Sequence, residues 1–419
     1  MFAGFTFAST ELVLPAFVQT LTASSLLVGL TGALMRLGWS VPQVFAGRLV
    51  EPMARKMPVF RVLGALQTLC WLAIGTLTVL VGSTHPSLTL VAFLILYGLS
   101  MTCMGVASVP RMDIMGKAFP SQIRARVFAY RRLAGGGMAM VAGLSLGYIL
   151  SDASGLAFPA NYGVLFLLSG ACIGLSVAVF SMIREPIETS TDAVRLSLRD
   201  YVQRGIDAIK TDGNYRRLCI LQFLWGFSSL GAPFYMPYAL TDLQMDVRYV
   251  GFFSAAMQLS SICSNVVWAW IGQKRGNHAL LPIGTCLLGF AVLIPLTVTW
   301  VPPIPIDPLA ALGLPYALDL QVAYFALTFV ASGAAWSGMF TGRMTYILDI
   351  APSDRRPTYT SFMNAFMIPD GLLPILAGAL VAWISYHNVF LISCAFVPVA
   401  IIVSLKLEAV HDPPEPSGS

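Results

Sequence analysis

Charge is what this chain has least of: only 11% of its 419 residues are Asp, Glu, Lys or Arg. So few charges cannot cover the surface of a soluble domain. Histidine is scarce too, with four copies scattered mostly near loops, so no metal or nucleophile constellation forms and no enzyme is expected. A phosphate-binding loop of the type G-x-x-x-x-G-K-[ST] is missing, which argues against an ATP-driven pump. The seven cysteines (Cys70, Cys103, Cys172, Cys219, Cys263, Cys286 and Cys394) lie inside apolar segments, and no two share an outer loop. They read as small core residues rather than disulfide or metal partners, and no cofactor is expected.

What the chain has instead is apolar sequence, with 57% hydrophobic residues and a mean hydropathy of +0.75. Runs of about 20 apolar residues, each able to cross a hydrocarbon core of about 30 Å, recur along its whole length. They predict an all-α polytopic membrane protein, with the lipid bilayer as its first partner. Twelve transmembrane helices are expected near 1–21, 24–46, 58–82, 88–112, 125–150, 161–183, 214–240, 247–271, 278–300, 319–345, 357–382 and 386–406.

Orientation follows from the basic residues, because Lys and Arg beside span ends stay on the cytoplasmic side. The even connections carry Arg48, Arg55 and Lys56, then Lys117, Arg124 and Arg126, then a basic stretch from Arg184 to Arg217, then Lys274 and Arg275, then Arg355 and Arg356. The odd connections offer only Arg248. Both termini are therefore expected in the cytoplasm of a cell, inner or plasma, membrane protein. The net charge of +5 reflects this bias rather than nucleic-acid binding. The first span lacks a basic lead and carries Glu11, which argues against a cleaved signal peptide. Almost no tail precedes that span, so the natural start is expected to lie upstream.

The chain also repeats itself. At an offset of 222 residues Pro15 meets Pro237, Leu21 meets Leu243, Val28 and Gly29 meet Val250 and Gly251, Ala33 meets Ala255, Met35 meets Met257, and Leu37 meets Leu259. At an offset of 232, Arg111 meets Arg343, Met112 meets Met344, Pro120 meets Pro352, Ser121 meets Ser353 and Arg124 meets Arg356. The long loop "WVPPIPIDPLAALGLP" accommodates the difference. Two parallel six-helix halves follow, 1–183 and 214–406, with a cytoplasmic linker at 184–213 and a disordered tail at 407–419. In the linker Leu198, Tyr201, Val202, Ile206 and Ile209 follow helical spacing, so an amphipathic helix along the membrane face is expected.

Twelve spans in two parallel halves, a linker of that length and the loop "GRLVEPMARK" after the second span resemble the major facilitator superfamily of secondary transporters. That loop matches the family pattern through Gly47, Glu51, Ala54, Arg55 and Lys56, although Glu51 stands for the usual Asp, Pro52 for a common Arg and Ala54 for the usual Gly. Its second-half counterpart "AWIGQKRGN" keeps Gly276 but has Gln273 at the acidic position. The resemblance implies that loop charges close the cytoplasmic side when the protein faces outward. Glu51, Arg55 and Lys56, and Arg111 and Arg124 with their repeat mates Arg343 and Arg356, are the candidates for that gate. Otherwise they act only as topology determinants and solvated loop charges.

A charge near the bilayer centre costs about 3 kcal/mol and needs a partner or a wet cavity. Three sit near mid-depth: Glu11, Arg36 and Asp370. The midpoint between Glu11 and Arg36 falls in the turn "TASS", so the two lie at matching depth on consecutive helices. Their repeat counterparts are Pro233 and Gln258, so both charges are absent from the second half. Either they pair directly, or each faces a cavity separately. Asp370 lies in "FMNAFMIPDGLLP", where Pro369, Gly371 and Pro374 break or kink the eleventh span. A carboxylate beside such a break serves either as a proton carrier or as a cap of the broken helix.

Span seven is expected to break as well, at "GAPFYMPYAL", between Pro233 and Pro237. The resemblance implies that spans one, four, seven and ten line a central cavity, which makes Glu11, Tyr235 and Trp336 candidate substrate contacts; the alternative for the aromatics is packing. In span five Gly137, Gly143 and Gly147 allow close helix contact. That span has no proline, and the early Arg motif of span four is missing, so the chain departs from the family's proton-driven drug exporters. The function implied is secondary transport of a small solute by alternating access, coupled to protons, by a monomer. The competing reading is a membrane accessory or sensing protein that keeps the fold without transporting.

Overall fold

The computed structural model describes residues 2–50, 53, 55–118, 121–185, 198–306, 318–351, 359, 363 and 368–409. In chain order the helices are α1 (Phe2–Phe7), α2 (Val13–Leu21), α3 (Ser25–Val50), α4 (Met57–Val81), α5 (Pro86–Ala118), α6 (Ser121–Leu150), α7 (Ala160–Phe180) and α8 (Leu198–Thr211). The second half holds α9 (Gly213–Ser228), α10 (Tyr235–Thr241), α11 (Tyr249–Arg275), α12 (Leu280–Thr297), α13 (Leu320–Ile350), α14 (Leu373–Ile384) and α15 (Tyr386–Leu405). The expected spans map onto these helices, and α8 lies in the linker. A two-residue antiparallel pairing, β1 (Pro305–Ile306) with β2 (Leu318–Asp319), is the only sheet among the described residues.

Side chains set several helix starts. Asp212 accepts a hydrogen bond from Tyr215 N at 2.9 Å and opens α9, and Asp319 accepts one from Val322 N at 2.6 Å and opens α13. Gly276, at φ +83°, stops α11 in a backbone conformation that suits glycine.

Three spans are interrupted at mid-depth. Span seven breaks between α9 and α10 around the 3-10 turn Ala232–Phe234, as its prolines suggest. Span eleven carries a 3-10 turn at Pro369–Leu372 before α14. Span one, expected to be continuous, is also broken, between α1 and α2. The reason is Pro15: a helical proline lacks an N–H and its ring collides with the carbonyl four residues back, here that of Glu11. The chain responds with a wider loop, in which Leu14 N donates to Ser9 O at 2.9 Å. Pro237 stands in the same relation to Pro233, so the breaks in spans one and seven are repeat equivalents.

The cores show how the halves meet. On the side of the odd connections, one large apolar cluster joins Phe17, Phe93 and Phe166 of the first half to Phe234, Phe325 and Phe390 of the second. On the basic side the clusters formed by the described residues stay within halves: Met57, Phe60, Ala107 and Ile114 in the first, Tyr215, Trp225, Tyr346 and Met363 in the second. Helix pairs close the shared end tightly. A Cβ at Gly29 of α3 would run into the carbonyl of Pro374 in α14, and one at Gly251 of α11 into the backbone of Gly147 in α6. Gly29 and Gly251 are repeat mates. Gly143 also contacts α11, through Ala255, whereas a Cβ at Gly137 would meet open space. Gly137 is therefore not a close-contact glycine.

The tail expected to be disordered from 407 begins with packed residues. Leu407 is buried in the second half's core, and the Glu408 carbonyl accepts from Tyr346 Oη at 2.8 Å while its carboxylate pairs with Arg217 at 2.7 Å. Burying a leucine is worth about 1.5–3 kcal/mol. Ending the chain after Lys406 is therefore expected to lower the melting midpoint in detergent by roughly 2–6 °C. An unchanged midpoint would show that the strap adds nothing.

Candidate functional site

At the boundary between the shared core and the separated basic side lie the mid-depth charges. Asp370 follows the Ile368 turn of span eleven and is 4% exposed. Gln222 of α9 donates to its Oδ2 at 3.4 Å, and Arg343 of α13 donates from Nη1 to the Gln222 side-chain oxygen at 3.0 Å. Gly226 leaves the space for this carboxylate: a Cβ there would lie 3.1 Å from Asp370 Oδ1. From the other half, Arg36 of α3 donates from Nη1 to the Asp370 carbonyl at 3.2 Å. The interrupted helix makes that carbonyl available.

Arg36 is half-buried and lies in the field of two anions, Asp370 and Glu11. Glu11 sits in the break between α1 and α2, partly exposed although residues 12–18 that follow it are buried. Among the described residues no ion pair joins Glu11 to Arg36, so their attraction acts across space rather than through a direct bridge. Tyr235, at the start of α10, lies within electrostatic reach of Glu11 and packs on Phe390 with ring centroids 5.5 Å apart. Glu11, Arg36, Asp370 and Tyr235 are thus gathered in one region. Trp336 is not among them: it is half-buried against the second half's basic-side core.

Arg343 was expected at the cytoplasmic gate. It is instead 7% exposed and built into the Asp370 network, because a buried guanidinium must find an acceptor and a counter-charge: Gln222 supplies the first and Asp370, across space, the second. Gln222 was missed, although a lone amide in the apolar run "CILQFLWGF" is a signal for a buried polar contact.

The basic face carries its own cluster. Lys56 Nζ and Lys117 Nζ both reach Asp113 Oδ2 at 2.9 Å. The Glu185 carboxylate accepts from Lys56 N at 2.8 Å and Met57 N at 2.8 Å, capping α4. Asp113 and Glu185 were not anticipated, although Asp113 and Lys117 have the i,i+4 spacing of a helical pair. Arg111 is half-buried and near Arg131, and Arg55 is exposed. Gly47 and Arg124 belong to α3 and α6, with their surroundings outside the described residues, as are Glu51 and Arg356 altogether. Asp113→Asn strips two lysines of their shared anion. At a partly exposed site this costs about 1 kcal/mol, so turnover is expected to change by no more than about fivefold. A loss of a hundredfold would put Asp113 in the transport path itself.

Comparison with known proteins gives a coherent result. The Major Facilitator Superfamily sequence model matches residues 1–318 and 218–419. Among solved structures the chain is similar to the nucleoside transporter NupG (D323A mutant) with a TM-score of 0.69 and 12% identity, covering 97% of each chain. It is similar to a bacterial homologue of the iron transporter ferroportin in an inward-facing state, with a TM-score of 0.69 and 14% identity over 97% of this chain and 95% of that one. A D-xylose-proton symporter aligns with a TM-score of 0.67 and 13% identity, over 98% and 96% of the two chains. At such identities the likeness is one of fold alone. No curated protein matches the sequence.

Proposed function

Since the chain belongs to the Major Facilitator Superfamily, we propose that it is a secondary active transporter of a small solute, working by alternating access and coupled to protons through Asp370. The observation that carries this reading is the one-sided contact between halves. A shared core seals one end, the cores of the described residues at the other end are separate, and a polar network of Arg36, Asp370, Gln222 and Arg343, with Glu11 in its field, lies where the seal stops. With the basic face in the cytoplasm of a cell membrane, this conformation opens inward.

Asp370 suits proton coupling because its two links answer to its charge in different ways. Gln222 and Arg343 tie it to its own half, whereas Arg36 ties it to the other. Protonation removes the attraction that holds Arg36 to the Asp370 region and so favours separation of α3 from α14. A proton can thereby bias one conformation over another, as coupling requires. Two of the solved structures with a similar fold, a nucleoside transporter and a D-xylose-proton symporter, are named for small polar solutes.

The test is uptake by the full chain in proteoliposomes across sugars, nucleosides, amino acids, peptides and organic ions. Accumulation above equilibrium that appears with an imposed pH gradient and disappears when the gradient is collapsed is expected. No gradient-dependent uptake of any solute would overturn the reading in favour of a non-transporting membrane protein.

A further inference from the structure

The mid-depth charges fall into two sets. Asp370 and Arg343 are buried and linked through Gln222. Glu11 and Arg36 are different: each keeps partial exposure, they belong to adjacent spans of one half, they attract each other, and no ion pair joins them among the described residues. Opposite charges held at one depth without direct contact are expensive to keep in a membrane protein unless something completes them. Arg36 uses Nη1 on the Asp370 carbonyl, which leaves its remaining donors for another acceptor.

A second observation points at the same place. Tyr97 of α5 is 1% exposed, and its hydroxyl is directed at the side chain of Thr10, the neighbour of Glu11 in the helix break. The Tyr97 and Thr10 hydroxyls thus lie together beside the partly exposed Glu11, where a hydroxyl can turn from its neighbour to a polar ligand atom. Tyr235 of the second half lies within electrostatic reach of Glu11.

We infer that the transported solute is a small zwitterion carrying one amine and one carboxylate, with its ammonium on Glu11 and its carboxylate on Arg36. This rests on the transport reading and narrows its substrate class. The solute neutralises both charges at once, so the loaded site crosses the membrane without a net unpaired charge. A solute with only an amine or only a carboxylate leaves one of the two uncompensated. Tyr97 and Thr10 then supply hydroxyls beside the ammonium end, where they select for size and polarity.

The test uses the full chain in proteoliposomes under a pH gradient, with alanine, leucine and phenylalanine against ethylamine, propionate and xylose. Uptake of at least one zwitterion is expected to exceed that of every single-charge or neutral solute by about tenfold or more. Glu11→Gln should bring alanine uptake down toward that of propionate, and Arg36→Lys should retain more uptake than Arg36→Met, with elution profiles in detergent matching the parent protein. Gradient-driven uptake of xylose, ethylamine or propionate at or above the zwitterions would overturn the substrate class while leaving transport intact. Uptake of none of the six, together with none across the wider panel of solutes, would remove the transport reading and this inference with it. Unchanged zwitterion selectivity in Glu11→Gln and Arg36→Met would also overturn the assignment.

Discussion

Asp370→Asn is expected to abolish proton-driven accumulation, bringing the internal to external solute ratio down to about one, while counterflow exchange stays within about twofold of the parent; a ratio of ten corresponds to about 1.4 kcal/mol of gradient energy. The side chain keeps its shape. Its oxygen still accepts from Gln222 Nε2, and the Asp370 carbonyl that receives Arg36 is a backbone group untouched by the change. What is lost is the ability to take up and release a proton. The two readouts separate coupling from architecture: exchange needs the halves to move with solute bound, whereas accumulation needs the proton as well. Normal accumulation in Asp370→Asn would remove Asp370 from the mechanism and return it to the role of a cap on a broken helix.

Gly251→Leu is expected to cut turnover by about tenfold or more without unfolding the protein. At this position α11 meets α6 so closely that a Cβ would strike the Gly147 backbone, and a backbone atom cannot step aside as a side chain does. Overpacking of this kind costs about 1–3 kcal/mol. Charged against the sealed conformation alone, that shifts the balance between conformations by roughly 5- to 150-fold. Gly29→Leu, at the repeat-equivalent contact of α3 with Pro374, should act in the same direction. Gly137→Leu supplies the comparison, since it adds the same apolar bulk to α6 where nothing lies within 4 Å of the new Cβ, and is expected to transport near the parent rate. Equal losses in Gly137→Leu and Gly251→Leu would mean that bulk in these helices, and not the sealed contact, sets the rate.

Much of the architecture was readable in one dimension because a bilayer imposes strict rules. Span lengths, the basic bias of alternate loops and the offset of 222 residues led to twelve helices in two parallel halves, which the Major Facilitator Superfamily match and the similar folds bear out. The breaks in spans seven and eleven followed from proline pairs. The break at Glu11 has a sequence signal too: Pro15 is not only a repeat mark, since a helical proline there collides with the carbonyl of residue 11. Arg343 misled because position along a helix of 31 residues does not reveal which way a side chain turns, and its partners lie on helices far away in sequence. Contacts between halves, such as Arg36 with Asp370, have no sequence signature at all. They depend on which conformation the halves adopt.

The central claim is that the two halves rock about this charged region, closing one end as the other opens. Paired spin labels measure it directly in a background with the seven cysteines replaced. One pair, Ser83 with His387, reports the end now sealed; the other, Met182 with Gln273, reports the basic end, all four positions being exposed. Lowering the pH in the presence of solute should lengthen distances at the first pair and shorten them at the second in the same samples. Distance distributions that stay fixed at both ends, or that move together, would contradict alternating access in this protein.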